Sequence, residues 1–479
     1  MLLFFAIGFA KLAVNYSPNL RFNLKNRLKI RYKKILMFEK RSSNVIMKSQ
    51  KTGKCQEIAE EHMIKRDYYL KQLIEKKHSS KIKIVTGLRR SGKSYLLGVI
   101  FRQHLIENGV KEEQIIDVEL DDEKNDSLLE KGKLREYIEK IANDENKQYY
   151  IILDEIQLVD DFVRSVNSLN KHKNYDLYIT GSNSKFLSKD INDEFKDRGT
   201  EINVRPLSFS EYYSAYEGDK RFALQEYLRF GGMPGLFEES SEQGKIKYLD
   251  NLMKKVYIDD IRKNINTSLI DELSATVDAL CSVTGNLTNP LNMTNYLKSE
   301  RQIKIDNETV TKFIEGMKDA FLFDEVKRYN IKGMAYLNTP SKFYCQDIGL
   351  RNVRINFREP NEGFLIENAI YNELKTREYL VDVGFVETKV KNKLGKWIYA
   401  QLEVDFIVRR GSKEYYIQVM DKIPAGKHLD NEYDALLAVP GSFKKIAVIN
   451  KPLLSYTNKD GILIISLEEF LLNQNSLDL

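Results

Sequence analysis

Short apolar runs alternate with helix-like segments in the first half of the sequence. Strand-like runs occur at residues 81–86, 115–120, 149–154 and 175–180. Strands that alternate with helices predict an α/β fold with a parallel sheet and crossover helices. Residues 149–153 are apolar at every position, which is typical of a strand covered on both faces.

The pattern changes near residue 205, which predicts that a different kind of structure follows. From there it is mainly helical, with a glycine-rich interruption at 231–235. Residues 268–345 predict three helices followed by two short strands. From about residue 360 a helix precedes strand-like runs near 385–389, 401–408, 415–419, 445–449 and 461–465.

Charge is distributed unevenly along the 479 residues. The formal net charge is +6, but residues 1–54 carry +12 and residues 55–479 carry −6. The overall basicity therefore does not indicate a DNA-binding core. The three cysteines and five histidines are scattered, which argues against a disulfide framework or a His/Cys metal cluster and predicts a reducing cytoplasm.

The amino-terminal segment has two interpretations, a short membrane-associating arm or a disordered basic extension. Its apolar run at 2–10 is shorter than the roughly 20 residues that span a bilayer. No integral membrane span is therefore predicted.

A glycine-rich loop between a strand and a helix carries the clearest chemistry. It matches G-x-x-x-x-G-K-[ST] in full and consists of Gly87, Leu88, Arg89, Arg90, Ser91, Gly92, Lys93 and Ser94. In such a loop the backbone N–H groups surround phosphates, and the helix that follows adds its positive end. Lys93 is expected to bind the β- and γ-phosphates of ATP, and the Ser94 hydroxyl to bind Mg²⁺.

Two acidic residues end the buried strand at 149–154 and complete this expectation. Asp154 is predicted to hold Mg²⁺, and Glu155 to polarise the attacking water. Ser182 or Asn183, after the next strand, would orient that water, although the sequence there also suits an ordinary turn. Arg198 is a candidate arginine finger for a neighbouring subunit, or a solvated loop residue.

These motifs resemble a known group as a set. The set comprises the phosphate loop at 87–94, Leu-Asp-Glu-Ile-Gln at 153–157, Thr-Gly-Ser-Asn-Ser at 180–184, Arg198-Gly199 and Pro-Leu-Ser-Phe at 206–209. It resembles the prokaryotic AAA+ ATPases with an AAA_14-type P-loop domain and a C-terminal DUF4143 domain. The resemblance implies a winged-helix region and a restriction-endonuclease-like carboxyl-terminal fold.

Five segments are predicted from the pattern and the resemblance together. They are a basic extension (1–62), an AAA+ P-loop domain (63–205), a helical lid or connector (206–267), a winged-helix-like domain (268–350) and a DUF4143-like, nuclease-fold domain (351–470).

The winged-helix candidate has a helix at 307–318 with an apolar face, followed by a strand and a turn. Its own polar positions mix lysines with acidic residues, which does not favour phosphate binding. The basic residues of the predicted wing, Lys327, Arg328, Lys332 and Lys342, suit DNA better. DNA contact and a protein-docking or structural role remain open.

Three polar residues outline a degenerate nuclease-like site. Glu367 lies on a predicted helix, Asp405 on a strand, and Gln418 stands where an active PD-(D/E)xK site has an acidic residue. Met420 stands where that motif has its lysine, although Lys422 shares the strand parity and could replace it. Gln418 supplies no anionic ligand for Mg²⁺, so the outline favours binding or docking over cleavage. That the three are unrelated polar residues on ordinary elements is the other interpretation.

Three functions remain open. The first is an ATPase that couples ATP binding and hydrolysis to a conformational change in a C-terminal half that binds a partner or nucleic acid. The second is an ATP-gated DNA nuclease, and the third a slow nucleotide-dependent switch or scaffold. ATP and Mg²⁺ are the predicted cofactors, and DNA, a protein or further copies of the chain are the candidate partners.

Overall fold

Five parallel strands form the first sheet. A computed structural model describes residues 64–181, 195, 198–358, 362–391, 397–420 and 431–479, so the predicted extension at 1–62 lies outside the described residues. The strands are β1 (Ile82–Thr86), β2 (Ile115–Glu119), β3 (Tyr149–Asp154), β4 (Tyr175–Thr180) and β5 (Gly199–Asn203). Their spatial order is β2-β3-β4-β1-β5, with every pair parallel. The predicted parallel sheet is confirmed.

Burial explains why these segments are strands. Every residue of β1, β3 and β4 is buried, as expected for central strands with helices on both faces. The helices are α1 (Asp67–Lys76), α2 (Lys93–Tyr95, continued by a π-helical stretch Leu96–Phe101 and by Arg102–Glu107), α3 (Lys133–Ile141) and α4 (Phe162–Leu169).

A helical layer follows the first sheet. Its helices are α5 (Phe209–Ala215), α6 (Ala223–Phe230), α7 (Glu242–Leu252, continued by a π-helical stretch Met253–Ile258 and by Asp259–Asn264), α8 (Ile270–Ser282), α9 (Pro290–Ser299) and α10 (Asn307–Asp319). Side-chain caps set several starts: Ser208 and Glu211 form a capping box at α5, and Asp306 caps α10. The apolar core of this layer also contains Leu88 of the phosphate loop.

The second sheet has eight strands. They are β6 (Phe323–Asn330), β7 (Ala335–Cys345), β8 (Leu380–Lys391), β9 (Trp397–Arg410), β10 (Lys413–Met420), β11 (Lys444–Ile449), β12 (Tyr456–Thr457) and β13 (Ile462–Ser466). Their order is β12-β13-β11-β10-β9-β8-β6-β7. The accompanying helices are α11 (Ile348–Arg354), α12 (Glu362–Thr376), α13 (Asn431–Ala438) and α14 (Leu467–Leu472).

This sheet crosses the domain boundary predicted at residue 350. The predicted order of three helices and two strands is present over 268–345, but β6 and β7 form one edge of the eight-stranded sheet through pairing of β6 with β8. The hairpin is therefore not a free wing, and the winged-helix assignment is not confirmed. Pairing between β6 and β8 joins the two segments predicted at 268–350 and 351–470.

None of the helices that the structure describes is both long enough and apolar enough to cross a bilayer.

Candidate functional site

The phosphate loop begins where β1 ends, and its backbone requires glycine. Gly87 has φ +131°, and a Cβ atom there would lie 2.1 Å from the carbonyl oxygen of Val204. Arg90 (φ +63°) and Gly92 (φ +95°) also have left-handed conformations, so the chain turns sharply before α2 begins at Lys93. The loop and the helix start thus have the arrangement in which main-chain N–H groups bind phosphates.

Lys93 is buried in this loop. Its Nζ donates to the carbonyl oxygens of Gly87 (3.0 Å) and Leu88 (3.2 Å), and the residue is 4% exposed. Burial lowers the pKa of Lys93 to about 8, against the opposing effect of the carboxylates of Glu155 and Asp154. The ammonium group is therefore held inside the loop by weak neutral acceptors, which a phosphate would replace with charged oxygens.

The carboxylate of Asp154 lies beside the first turn of α2. It accepts hydrogen bonds from the hydroxyls of Ser94 and Thr180. Burial raises the pKa of Asp154, although both hydroxyls oppose the rise. Ser94 and Asp154 together offer the hard oxygen ligands that Mg²⁺ prefers, so the residues fit the predicted metal.

Glu155 follows directly in a strained conformation. Its φ of +52° and ψ of +45° are left-handed, which is uncommon for a residue other than glycine and is typical of functional sites. The Glu155 N–H donates to Thr180 Oγ1 (2.9 Å), and the side-chain amide of Gln157 donates to the Glu155 carboxylate.

Thr180 is the residue that sequence reasoning missed. β4 lies between β1 and β3, so the last residue of β4 stands between the phosphate loop and the acidic pair. Its hydroxyl contacts both Asp154 and the Glu155 backbone. The signal was its position as the terminal residue of a strand in a parallel sheet; Ser182 and Asn183, chosen instead, lie outside the described residues.

Arg198 does not approach the phosphate loop of its own chain. It precedes β5, and Ile82 at the start of β1 donates its N–H to the Arg198 carbonyl. A five-residue strand separates it from the loop edge of the sheet, about 16 Å at 3.3 Å per residue. Its guanidinium is exposed and donates to Asn167 Oδ1 at 3.3 Å. Arg198 as an arginine finger therefore stays a prediction that needs a neighbouring copy.

The helical layer contacts the outer side of the phosphate loop. Leu88 is fully buried in the core of this layer, and the Tyr257 hydroxyl donates to the Arg89 carbonyl at 2.8 Å. Arg89 Nη1 lies 2.7 and 3.0 Å from the two carboxylate oxygens of Asp260. The loop is thus bound to two consecutive parts of α7, the π-helical stretch Met253–Ile258 and the helical continuation Asp259–Asn264.

A second connection joins the loop to the eight-stranded sheet. Ser91 Oγ donates to the Val204 carbonyl at 2.9 Å, and the next residue, Arg205, is buried. Arg205 forms an ion pair with Asp324 of β6 at 2.8 Å and donates to Asn372 of α12 at 3.0 Å. Burial alone would raise the pKa of Asp324, but the Arg205 guanidinium holds it below its usual value.

The three residues of the nuclease-like outline do lie together. Gln418 Nε2 donates to Asp405 Oδ2 at 2.8 Å, and Glu367 and Asp405 both face Lys342. Lys342 Nζ is 2.8 Å from Glu367, 2.6 Å from Glu403 and 3.9 Å from Asp405. In the described ranges no group of three or more His, Cys, Asp or Glu side chains is arranged to hold a metal.

Lys342 also corrects an expectation. It is 3% exposed, so it cannot contact DNA phosphates as predicted for the wing. Its ammonium group compensates the carboxylates instead. Lys422, the predicted substitute for the missing nuclease lysine, lies outside the described residues.

Two known proteins resemble this chain over most of its length. The chain is 32% identical over 415 residues to a Haemophilus influenzae protein described as "Uncharacterized protein", covering 86% of this chain and 99% of the relative. The chain belongs to the family of this Haemophilus influenzae protein. "Uncharacterized protein MJ1544" of Methanocaldococcus jannaschii is 28% identical over 368 residues, covering 74% of this chain and 76% of the relative.

Two domain families match within this chain. The model of an AAA domain (AAA_14) matches residues 79–213, and a domain of unknown function (DUF8612) matches residues 221–361. The AAA-type P-loop domain predicted from the motifs is thus confirmed. The predicted DUF4143 domain is wrong, because the family that matches after the AAA domain is DUF8612, and the restriction-endonuclease-like fold is not confirmed.

Solved structures give only distant likeness. The Aeropyrum pernix ORC1 protein in complex with DNA is 12% identical with a TM-score of 0.28, covering 61% of this chain and 92% of that chain. AMPPCP-bound DnaA from Aquifex aeolicus is 13% identical with a TM-score of 0.25, covering 52% and 85%. Scores this low do not establish a shared overall fold.

Proposed function

We propose that this protein binds ATP with Mg²⁺ at residues 87–94 and hydrolyses it. The observation that supports the proposal is the meeting of three strand ends at one edge of the first sheet. There Lys93, Ser94, Asp154 and Glu155 surround one place, with Thr180 between the loop and the acidic pair.

Each side chain has a distinct role in this proposal. Lys93 turns its ammonium group from the loop carbonyls to the β- and γ-phosphates. Ser94 and Asp154 would hold Mg²⁺, which would neutralise phosphate charge. The carboxylate of Glu155 accepts a hydrogen bond from the attacking water and so orients it in line with the γ-phosphate.

We further propose that nucleotide binding alters the contacts between the loop and the rest of the chain. When Lys93 leaves the carbonyls of Gly87 and Leu88, the loop backbone is free to adjust. Leu88 and Arg89 carry that adjustment to α7, while Ser91, through Val204 and Arg205, carries it to the eight-stranded sheet. A change in the loop conformation would therefore alter the packing of both α7 and the eight-stranded sheet.

Nucleotide affinity and turnover of three variants test the ATPase. Lys93→Ala should weaken ATP binding about 10- to 100-fold, since hydrogen bonds to charged groups contribute about 1.5–3 kcal/mol. Glu155→Gln should keep the affinity within about threefold and lower turnover at least about 100-fold. Lys171→Ala, which changes an exposed lysine after α4, is the control.

The outcomes separate the functions. If Lys93→Ala binds ATP as tightly as the parent does, residues 87–94 are not the ATP-binding site. If the parent binds ATP but turns over no faster than Glu155→Gln, the slow switch replaces the ATPase. Amide hydrogen exchange tests the coupling: ATP should change exchange in Met253–Ile258 of the parent and not of Lys93→Ala.

A further inference from the structure

The β8–β9 ribbon extends beyond its neighbours in the eight-stranded sheet. We define this ribbon as residues 386–391 and 397–402, which pair from Val386↔Leu402 to Lys391↔Trp397. β6 pairs with β8 only at 383–385, and β10 pairs with β9 only at 406–410. Over the residues that the structure describes, the ribbon strands therefore pair only with each other.

At the end of the ribbon that joins the sheet, one face packs against the core and the other face is open to solvent. Val386 and Leu402 are buried and pack in the same apolar cluster as Leu436 of α13. Because side chains alternate across a strand, Lys389 and its cross-strand partner Tyr399 point the opposite way. Tyr399 is 80% exposed, so its ring is accessible to a partner.

Lys389 and Tyr399 form a defined pair on this open face. They are opposite each other in the ladder, and Lys389 Nζ lies 5.1 Å from the centroid of the Tyr399 ring. An ammonium group beside an exposed aromatic ring offers a phosphate contact and a stacking surface for a base.

The charge of the ribbon also suits contact with a phosphate. Within the ribbon, Lys389 and Lys391 stand against one acidic residue, Glu387, whose carboxylate accepts a hydrogen bond from Gln401 at 3.1 Å. Elsewhere the lysines of α10 are paired: Lys312 lies 3.1 Å from Glu308, and Lys318 lies 2.9 Å from Glu315. The ribbon thus carries a net charge of +1, whereas the chain from residue 55 onward carries −6.

We infer that the open face of the ribbon binds single-stranded nucleic acid, with a base stacked on Tyr399 and a phosphate beside Lys389. A single strand is favoured over a duplex because a ring stacks only on a base that has left its own stack. This inference goes beyond the proposed ATPase and does not depend on it.

The test compares two matched pairs of substitutions in the full chain. Binding of fluorescein-labelled (dT)30 is followed by anisotropy between 50 and 200 mM salt. Tyr399→Ala should weaken binding about 5- to 100-fold, the effect of losing one base–aromatic stack. Lys389→Gln should lower the slope of log affinity against log salt by about 0.7.

Tyr456→Ala and Lys459→Gln are the controls, because both residues are exposed at the far edge of the same sheet. They should leave (dT)30 binding unchanged. Any binding by the basic residues 1–54 is common to all variants. The deciding quantity is therefore the difference in (dT)30 affinity between Tyr399→Ala and Tyr456→Ala. Equal affinities for Tyr399→Ala and Tyr456→Ala, or no binding by the parent, would overturn the inference.

Cross-linking and vesicle binding separate the remaining partners. A strand carrying 5-iodouracil should cross-link to the tryptic peptide 397–409 of the parent, and adducts confined to 1–62 would contradict the proposal. If Tyr399→Ala weakens binding to phosphatidylserine vesicles but not to (dT)30, the ribbon is a membrane contact and the proposal is wrong.

Discussion

Replacing Thr180 with valine tests the part of the site that the structure added to the sequence motifs. Thr180 is fully buried, and its hydroxyl donates to Asp154 and accepts the Glu155 N–H at 2.9 Å. Valine has nearly the same shape, so the substitution removes those two hydrogen bonds without leaving a cavity. The Glu155 N–H would then lose the Thr180 hydroxyl as its acceptor, and the buried Asp154 carboxylate would lose a donor.

The losses of stability and of turnover expected for Thr180→Val follow from these contacts. Losing a hydrogen bond costs about 0.5–1.5 kcal/mol, or about 1.5–3 kcal/mol when one partner is charged, so Thr180→Val should lower the free energy of unfolding by about 2 kcal/mol and still fold. Because both acidic residues lose the group that positions them, turnover should fall about 10- to 100-fold, the usual effect of removing a supporting partner. The KM for ATP should change less than about threefold, because the contacts of Lys93 are untouched.

Steady-state ATP hydrolysis and urea unfolding measure the two effects. Thr276→Val is the matched control: Thr276 is also fully buried, and its hydroxyl donates only to the Glu272 carbonyl within α8 at 2.7 Å. It should keep parental turnover. If Thr180→Val hydrolyses ATP within about twofold of the parent rate, Thr180 does not position the acidic pair and the argument fails.

Three further predictions concern buried lysines and the loop glycine. The pKa of Lys93 is about 8, and a lysine of that pKa is about three-quarters neutral at pH 8.5. Because phosphates favour the ammonium form, ATP binding should take up protons and weaken as pH rises above 8; calorimetry in two buffers at pH 8.5 would refute this by finding no uptake. Lys83→Met removes the partner of buried Asp176 and should destabilise the fold by about 3 kcal/mol in urea unfolding, with a loss below about 1 kcal/mol counting against it. Gly87→Ala places a Cβ atom 2.1 Å from the Val204 carbonyl oxygen and should abolish ATP binding, so parental affinity would show that the loop backbone is not fixed there.

Sequence reasoning found the central strands because their own residues decide their structure. β1, β3 and β4 are mainly apolar and fully buried, so a short stretch of sequence is enough to predict each strand. β5 was not predicted, since Gly199–Asn203 has only one buried residue. It becomes a strand by pairing with β1, which no local window contains.

The contacts that complete the sites depend on pairings between distant parts of the chain. Thr180 reaches Asp154 across 26 residues, and Arg205 reaches Asp324 of β6. The lysine that faces Glu367 and Asp405 comes from β7, inside the segment predicted as a separate winged-helix domain. A pattern along the chain identifies strand ends and motifs, but only the register of the sheets shows which ends meet.

The central claim is that the phosphate loop and the acidic strand end hold one metal–ATP complex between them. Electron paramagnetic resonance with Mn²⁺ in place of Mg²⁺ tests this most directly, because the metal reports its own ligands. In the presence of ATP, the parent chain should give a protein-bound Mn²⁺ signal with phosphorus hyperfine coupling, which both Asp154→Asn and Lys93→Ala weaken. A spectrum identical to that of Mn²⁺ and ATP free in solution would contradict the account.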